Sequence, residues 1–156
     1  EEAQTAYEEI LRSCKAYDPS ARIDGVLVQE MVQQGTELII GIKNDRQFGP
    51  MLLAGMGGIF TELFQDAALY PCPISKEEAL RMLKSLRSYK LLTGYRGSAP
   101  CDVDAVTDLM VRISEYAVEK RNEIAEVDLN PVFVYGEGKG AVAVDALIIK
   151  YGQEEV

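Results

Sequence analysis

The sequence predicts an α+β domain with a mainly antiparallel sheet and flanking helices. Three observations lead there. Runs rich in β-branched and apolar residues succeed one another across short glycine-bearing breaks, helical periodicities come in separate blocks, and Ile124-Ala-Glu-Val-Asp-Leu-Asn-Pro131 alternates polar and apolar residues with the period of a strand. The 156 residues, 47% apolar and 26% charged, suit one globular domain with a sizeable core.

Ala3, Ala6, Tyr7, Ile10, Leu11, Cys14 and Tyr17 recur at helical spacing, and Asp18-Pro19 ends the pattern because the residue before proline leaves the helical region. Residues 23–32 and 37–42, rich in β-branched side chains and separated by Gln33-Gln-Gly-Thr36, predict a strand hairpin. Residues 51–54 and 59–64 make a second apolar pair broken by Gly55-Met-Gly57-Gly58, so four strands are expected in a meander. The chain then turns at residues 71–73. Ser75-Lys-Glu-Glu78 is a capping box, in which the Ser75 hydroxyl and the Glu78 carboxylate satisfy free amide donors, and it opens a helix expected to reach about Tyr89. Glycines around Arg96 break the chain again. Asp102 and Asp104 suit the positive end of a last helix, whose Val106, Leu109, Met110, Ile113 and Ala117 share one face to about Arg121.

The final hairpin organises the functional reading. In a strand, Glu126, Asp128 and Asn130 point to one face while Ala125, Val127 and Leu129 point to the other. With Glu137-Gly138 as the turn residues, Asn130 falls directly across from Asp145, their Cβ atoms roughly 4.5 to 5.5 Å apart. A one-residue slip would separate them onto opposite faces. Carboxylates that converge at neutral pH repel unless protonated or neutralised, and an all-oxygen set of carboxylates and an amide suits Mg²⁺. The plain alternative is an acidic strand face in water.

The net charge of −9 argues against nucleic acid or an anionic membrane as partner, although a small cationic pocket can exist within an acidic surface. No apolar run is long enough to span a bilayer. Cys14, Cys72 and Cys101 form no CxxC pair, which favours a reduced, cytoplasmic setting over a disulfide framework or a zinc site. Histidine is absent, excluding Ser-His-Asp and Cys-His mechanisms and a phosphohistidine on this chain. The opening Glu1-Glu2-Ala3 lies directly inside a helical pattern without an initiator methionine and reads as an excised piece.

Gly55-Met-Gly57-Gly58 lacks the spacing of a phosphate loop and reads first as a turn or bulge. Asp45-Arg-Gln-Phe48-Gly-Pro50 is a polar turn, with Phe48 available as a core plug. Arg96, between Gly94 and Gly97, is either a surface arginine or a guanidinium placed to grip phosphate oxygens. Glu30 and Glu37 sit in or beside apolar runs, where a carboxylate either meets water or needs a partner such as a ribose hydroxyl.

Taken in order, Gly25-Val-Leu-Val-Gln-Glu-Met-Val32 with Glu37 and Gly41, Asp45 with Phe48-Gly-Pro50, Gly55-Met-Gly-Gly58 with Glu62 and Asp66, Leu92-Thr-Gly-Tyr-Arg-Gly97, and Glu126-Val-Asp-Leu-Asn-Pro131 with Val144-Asp-Ala146 resemble the C-terminal part of the ATP-grasp region of NDP-forming acyl-CoA synthetases. The nucleotide-binding subunit of succinyl-CoA synthetase is a more distant similarity. The resemblance implies an ATP-grasp C-terminal subdomain over residues 23–150, with residues 1–22 as leading helix and connector and 151–156 as a tail. It implies an enzyme that interconverts carboxylic acid, CoA and ATP with acyl-CoA, ADP and phosphate through a phosphohistidine on another domain.

On that resemblance Asn130 and Asp145 match Mg²⁺ ligands, Asp128 matches the acidic position before the asparagine, and Glu126 is a water-mediated or outer partner. Gln29, Glu30, Met31 and Val32 match the strand that holds adenine, and Glu37 a position near the ribose. Arg96 is assigned to neutralise the transferring phosphoryl group, and Gly57 and Gly58 to the nucleotide site. Cofactors would be ATP or ADP with Mg²⁺. Partners would be the N-terminal ATP-grasp half with its phosphate-binding lysine, and the CoA-binding and ligase domains that take CoA and the acid. Without them the chain is expected to show little or no synthetase activity. A noncatalytic binding or assembly module and another ATP-grasp carboxylate ligase are the competing readings.

Overall fold

The computed structural model describes residues 1–58 and 66–152. The chain divides into two compact units, Glu1–Gln33 and Gln34–Val156, each treated separately.

In the first unit, helix α1 spans Glu2–Tyr17 as the periodicity predicts. Asp18 ends it: its Oδ1 accepts the Ser20 N–H at 2.8 Å and the Ser20 hydroxyl at 2.7 Å, so the side chain builds a turn where the backbone leaves the helix. α1 carries no buried residue. The strand expected over residues 23–32 does not form. A strand requires a ladder partner for its N–H and C=O groups, and residues 23–32 pair with no described segment, leaving Leu27, Val28 and Met31 80%, 90% and 94% exposed.

The second unit is built on an antiparallel sheet of β1 (Thr36–Asp45), β2 (Gly49–Met56), β3 (Ala67–Pro71), β4 (Ile124–Val134), β5 (Ala141–Ala143) and β6 (Ala146–Lys150). The spatial order is β3-β2-β1-β4-β5, and β6 continues along β4 beyond β5. The α+β, mainly antiparallel prediction therefore holds. Strand β3 is not among the predicted elements, and residues 59–64, predicted as a strand, lie outside the described residues. The β1–β2 turn is built by Asp45, whose Oδ1 accepts the Gln47 and Phe48 N–H groups at 2.8 and 2.9 Å, with Gly49 at φ 75° closing it. Phe48 sits at the tip of that turn, 72% exposed, and is not a core plug. The Asp45 hydrogen bonds commit the adjacent backbone to the turn and carry Phe48 away from the interior.

Helix α2 (Lys76–Ser85), a 3₁₀ turn (Arg87–Leu91) and helix α3 (Val103–Glu119) cover one sheet face. The capping box forms as predicted: Ser75 Oγ accepts the Glu78 N–H at 3.2 Å and Glu78 Oε2 accepts the Ser75 N–H at 2.8 Å. α2 stops short of Tyr89 because Leu86 turns extended (φ −67°, ψ 135°) and the chain re-enters as the 3₁₀ turn. That turn is held by Asp66, just before β3, which accepts the N–H groups of Arg87 and Ser88 at 2.9 and 2.8 Å together with the Ser88 hydroxyl. Asp102 caps α3 through the Ala105 N–H at 3.0 Å, and its other oxygen takes the Gly140 N–H at 2.8 Å, tying the last hairpin to the helix. Lys76 reaches from the start of α2 to Asp104 and Asp108 on α3.

Leu38, Ile40, Ile42, Leu52, Ala54, Val127, Leu129, Val132 and Val134 project toward the helices and meet Met82, Leu83, Val106 and Met110 in the core. Burying each large apolar side chain contributes about 1.5–3 kcal/mol. The alternate residues of β1, β2 and β4 face away from this core, and the site lies there. Among the described residues, no helix is long and apolar enough to cross a membrane.

Candidate functional site

On the open face, alternation along β1 presents Glu37, Ile39, Gly41 and Lys43. The register sets Gly41 between Leu53 of β2 and Asp128 of β4, and Lys43 between Met51 and Glu126. Leu53 in turn pairs with Leu69 of β3. These residues surround a cavity of about 410 Å³, apolar on the β2–β3 side and acidic on the β4 side, with Asp45 at its end.

The predicted hairpin register forms. Val132 pairs with Ala143, Phe133 with Val142 and Val134 with Ala141, around a turn in which the Lys139 N–H donates to Gly136 O at 2.9 Å and Gly138 takes φ 74°. Asn130 and Asp145 are therefore neighbours, and the Asn130 N–H donates to Asp145 O at 3.2 Å. The strand pattern is irregular on both sides of them. Toward β1, Leu38 pairs with Val132 but Ile40 with Leu129, so β4 carries an extra residue at Asn130-Pro131. On the other side the strand breaks between β5 and β6, where Asp145 Oδ1 accepts the Ala146 N–H at 2.8 Å. Bulges of this kind re-aim side chains, and both Asn130 and Asp145 are exposed here.

Asp128 and Glu126 lie half-buried on the same strand. Burial pushes the Asp128 carboxyl above the ordinary aspartate value, and the negative charges of Glu126 and Asp145 push it further. Among the described residues, no lysine or arginine makes an ion pair with Glu126, Asp128 or Asp145. The surplus negative charge is what a divalent cation relieves. Among the described residues, no three Asp, Glu, Cys or His side chains converge as a complete cage. One or two carboxylates with an amide oxygen match Mg²⁺, which commonly keeps waters and takes its other ligands from substrate phosphates.

A second cluster joins Glu37, Gly57 and Gly58. The Gly57 N–H donates to Glu37 O at 2.8 Å, and a Cβ on Gly57 would fall 2.8 Å from the Glu37 Cβ. Gly58 adopts φ 64°, with Glu37 Oε2 3.1 Å from where its Cβ would stand. Together with Thr36 and Ser98 they line a cavity of about 460 Å³. Ser98 belongs to the loop of Arg96, fastened by the Tyr95 N–H donating to Ser98 Oγ at 3.0 Å. Arg96 itself takes φ 52° between Gly94 (φ 89°) and Gly97 (φ 88°), is exposed, and stacks 5.4 Å from the Tyr95 ring centroid. It is not among the residues lining that cavity. Gln29, Glu30, Met31 and Val32 belong to the N-terminal unit, without regular secondary structure, Val32 partly buried and the others exposed.

Sequence reasoning anticipated the acidic strand face and its register. It did not single out Lys43, Leu53 and Leu69, which line the 410 Å³ cavity from three adjacent strands and whose only signal was the alternation along each strand.

Comparison with known proteins identifies relatives of the chain. Residues 1–149 match the ATP-grasp domain family. The chain is 41% identical over 152 residues to the acetate–CoA ligase [ADP-forming] II subunit beta of Pyrococcus furiosus, covering 97% of this chain and 64% of that protein. It is 44% identical over 139 residues to the acetate–CoA ligase [ADP-forming] I of Archaeoglobus fulgidus, covering 89% of this chain and 20% of that protein. A solved structure of dinucleotide forming acetyl-coenzyme A synthetase 1 from Ca. Korarchaeum cryptofilum, with coenzyme A, acetyl-coenzyme A and a phosphorylated phosphohistidine segment, superposes with a TM-score of 0.85 at 47% identity, over 94% of this chain and 64% of that one. The same enzyme with coenzyme A and Mg-AMPPCP gives a TM-score of 0.75 at 46% identity, over 88% and 62%. The chain thus spans less than two thirds of these relatives. With the family match running over nearly all its residues, the chain belongs to the ATP-grasp domain family.

Proposed function

We propose that this domain is the nucleotide- and Mg²⁺-binding part of an ADP-forming acyl-CoA synthetase, which interconverts carboxylic acid, CoA and ATP with acyl-CoA, ADP and phosphate. The observation that carries the reading is the Asn130–Asp145 pair, exposed beside the β1–β4 bulge where the β5 and β6 spans meet, next to an Asp128 carboxyl already burdened with negative charge. The relatives' names and the Mg-AMPPCP complex of a similar structure support the same assignment.

In this reading the Asn130 amide oxygen and the Asp145 carboxylate are the direct metal ligands, Asp128 completes the protein's share, and Glu126 acts through water. When bound, Mg²⁺ supplies charge stabilisation for the phosphate oxygens. Glu37 faces the ribose, with Gly57 and Gly58 keeping the backbone close to the ligand. Gln29, Glu30, Met31 and Val32 hold the adenine edge largely through backbone groups, the first three being exposed in the N-terminal unit. Arg96, on a glycine-flanked loop, brings positive charge to the phosphoryl group. The N-terminal ATP-grasp half and the CoA-binding and ligase domains are the partners, and the cytoplasm is the setting in which Cys14, Cys72 and Cys101 stay free thiols.

Calorimetric titration of the full-length protein with ADP, with and without Mg²⁺, tests this. Asn130→Ala and Asp145→Ala should each remove most of the Mg²⁺-dependent part of the affinity. Wild-type affinity in both variants would overturn the metal assignment.

A further inference from the structure

The hairpin that sets Asn130 against Asp145 is tied down from outside its own ladder, by the residues just ahead of α3. The Glu137 N–H donates to Pro100 O at 3.0 Å, the Asp102 N–H to Tyr135 O at 2.8 Å, and the Gly140 N–H to Asp102 Oδ2 at 2.8 Å. The first two hold the β4 arm and the turn. The third, made by a side chain, holds the β5 arm.

Asp102 is buried and divides its carboxylate, Oδ1 accepting the Ala105 N–H at 3.0 Å to cap α3 while Oδ2 serves Gly140. The Ala105 and Gly140 N–H groups hold the carboxyl below the ordinary aspartate value, so it stays an acceptor for both. A cap alone does not require this, since a serine or asparagine caps a helix with one oxygen. The hairpin supplies the need. β5 is three residues long and pairs with β4 at three positions, Gly140 enters it at φ 82°, and Asp145 follows after Val144. A slip of one residue in β5 would carry Asp145 to the face opposite Asn130. A far smaller shift spoils a Mg²⁺ site, because that ion demands near-octahedral geometry at about 2.0–2.1 Å. Resting on the metal reading above, we propose that Asp102 is a positioning residue for the metal site: its Oδ2 fixes the start of β5 and with it the placement of Asp145 against Asn130.

Asp102→Ser and Asp102→Asn in the full-length protein separate this role from helix capping. Serine keeps the cap and is too short to serve Gly140 as well; asparagine keeps the cap and has one acceptor oxygen in place of two. Titrations with ADP are run with Mg²⁺, with Ca²⁺ and with neither. In both variants the gain in ADP affinity from Mg²⁺ should fall roughly tenfold, the low end of what a metal site loses with an outer support. The gain from Ca²⁺ should fall less, because Ca²⁺ accepts a looser geometry. Metal-free ADP affinity should stay at the wild-type value. Ser75→Ala, which removes the cap of α2 instead, should lower the unfolding midpoint and leave all three affinities unchanged. A wild-type Mg²⁺ gain in both Asp102 variants, equal losses with Mg²⁺, Ca²⁺ and no metal, or unfolding of both variants at the assay temperature would overturn the role of Asp102 alone. A wild-type protein whose ADP affinity does not respond to Mg²⁺, or an Asp145→Ala variant that keeps the full Mg²⁺ gain, would instead remove the metal reading and this inference with it.

Discussion

The two faces of the sheet are made by the same strands and obey opposite rules. The face under α2 and α3 is filled with Leu, Ile and Val, and the polar groups at its margin, Asp66 and Asp102, have their hydrogen bonds satisfied. The open face carries a bare glycine, a Lys43 that makes no ion pair among the described residues, and an Asp128 carboxyl repelled by Glu126 and Asp145. Period-two alternation lets one strand serve both tasks without compromise, because a substitution at one position changes one face only. Stability belongs to the covered face and the proposed ligand chemistry to the open one.

That division is open to direct attack. The largest effect should come from Leu52→Ala, which empties a fully buried core position and should cost about 2–5 kcal/mol in urea unfolding. A loss near zero would mean the covered face is not the core. Next, Asp66→Ala should cost roughly 1–3 kcal/mol, since it leaves the Arg87 and Ser88 N–H groups without an acceptor. Asn130→Ala and Asp145→Ala, although they disable the proposed ligand site, should stay within about 0.5 kcal/mol of wild type, because both side chains are exposed. A large loss in either would give the open face a structural role. The smallest effect should have the opposite sign: Asp128→Asn should raise the unfolding midpoint of the metal-free protein slightly while weakening Mg²⁺-dependent binding, because it removes a half-buried charge that Glu126 and Asp145 also repel.

Acid should expose the same contrast. Burial works to raise the Asp66 carboxyl, but the Ser88 hydroxyl and the Arg87 and Ser88 N–H groups outweigh it and leave the group below its ordinary value. A carboxylate lowered in the folded state stabilises above its unfolded pKa, about 3.9, and that contribution is lost as pH falls through the folded value. Asp66→Asn should therefore flatten the loss of stability below about pH 4 in a pH series of unfolding midpoints. An unchanged slope would show that Asp66 does not carry it.

Much of this was legible in the residues. The capping box, the helix opening at Asp102, the hairpin turn and the facing of Asn130 against Asp145 all follow from local chemistry: a hydroxyl and a carboxylate at fixed offset, a glycine at a turn, a register counted from that turn. The misses share a different cause. Residues 23–32 have the composition of a strand, yet a strand exists only where another chain segment supplies hydrogen bonds, and composition does not say whether one arrives. Phe48 has the bulk of a core residue, but its backbone is committed to the turn that Asp45 builds. Arg96 was placed on a glycine-flanked loop correctly, but whether its guanidinium enters the neighbouring cavity depends on long-range packing, and it does not line that cavity.

The sequence by itself determined the α+β class, the helix starts, and which face of β4 carries the acids, because alternation and capping act over a few residues. Only the tertiary structure decided that Asp128 would stand beside Gly41, that β4 would carry an extra residue against β1 at Asn130-Pro131, and that Leu53 and Leu69 would line the apolar side of the same cavity. Those arrangements bring together residues far apart in the chain, and the energies that choose them reside in the packed sheet rather than in any local stretch.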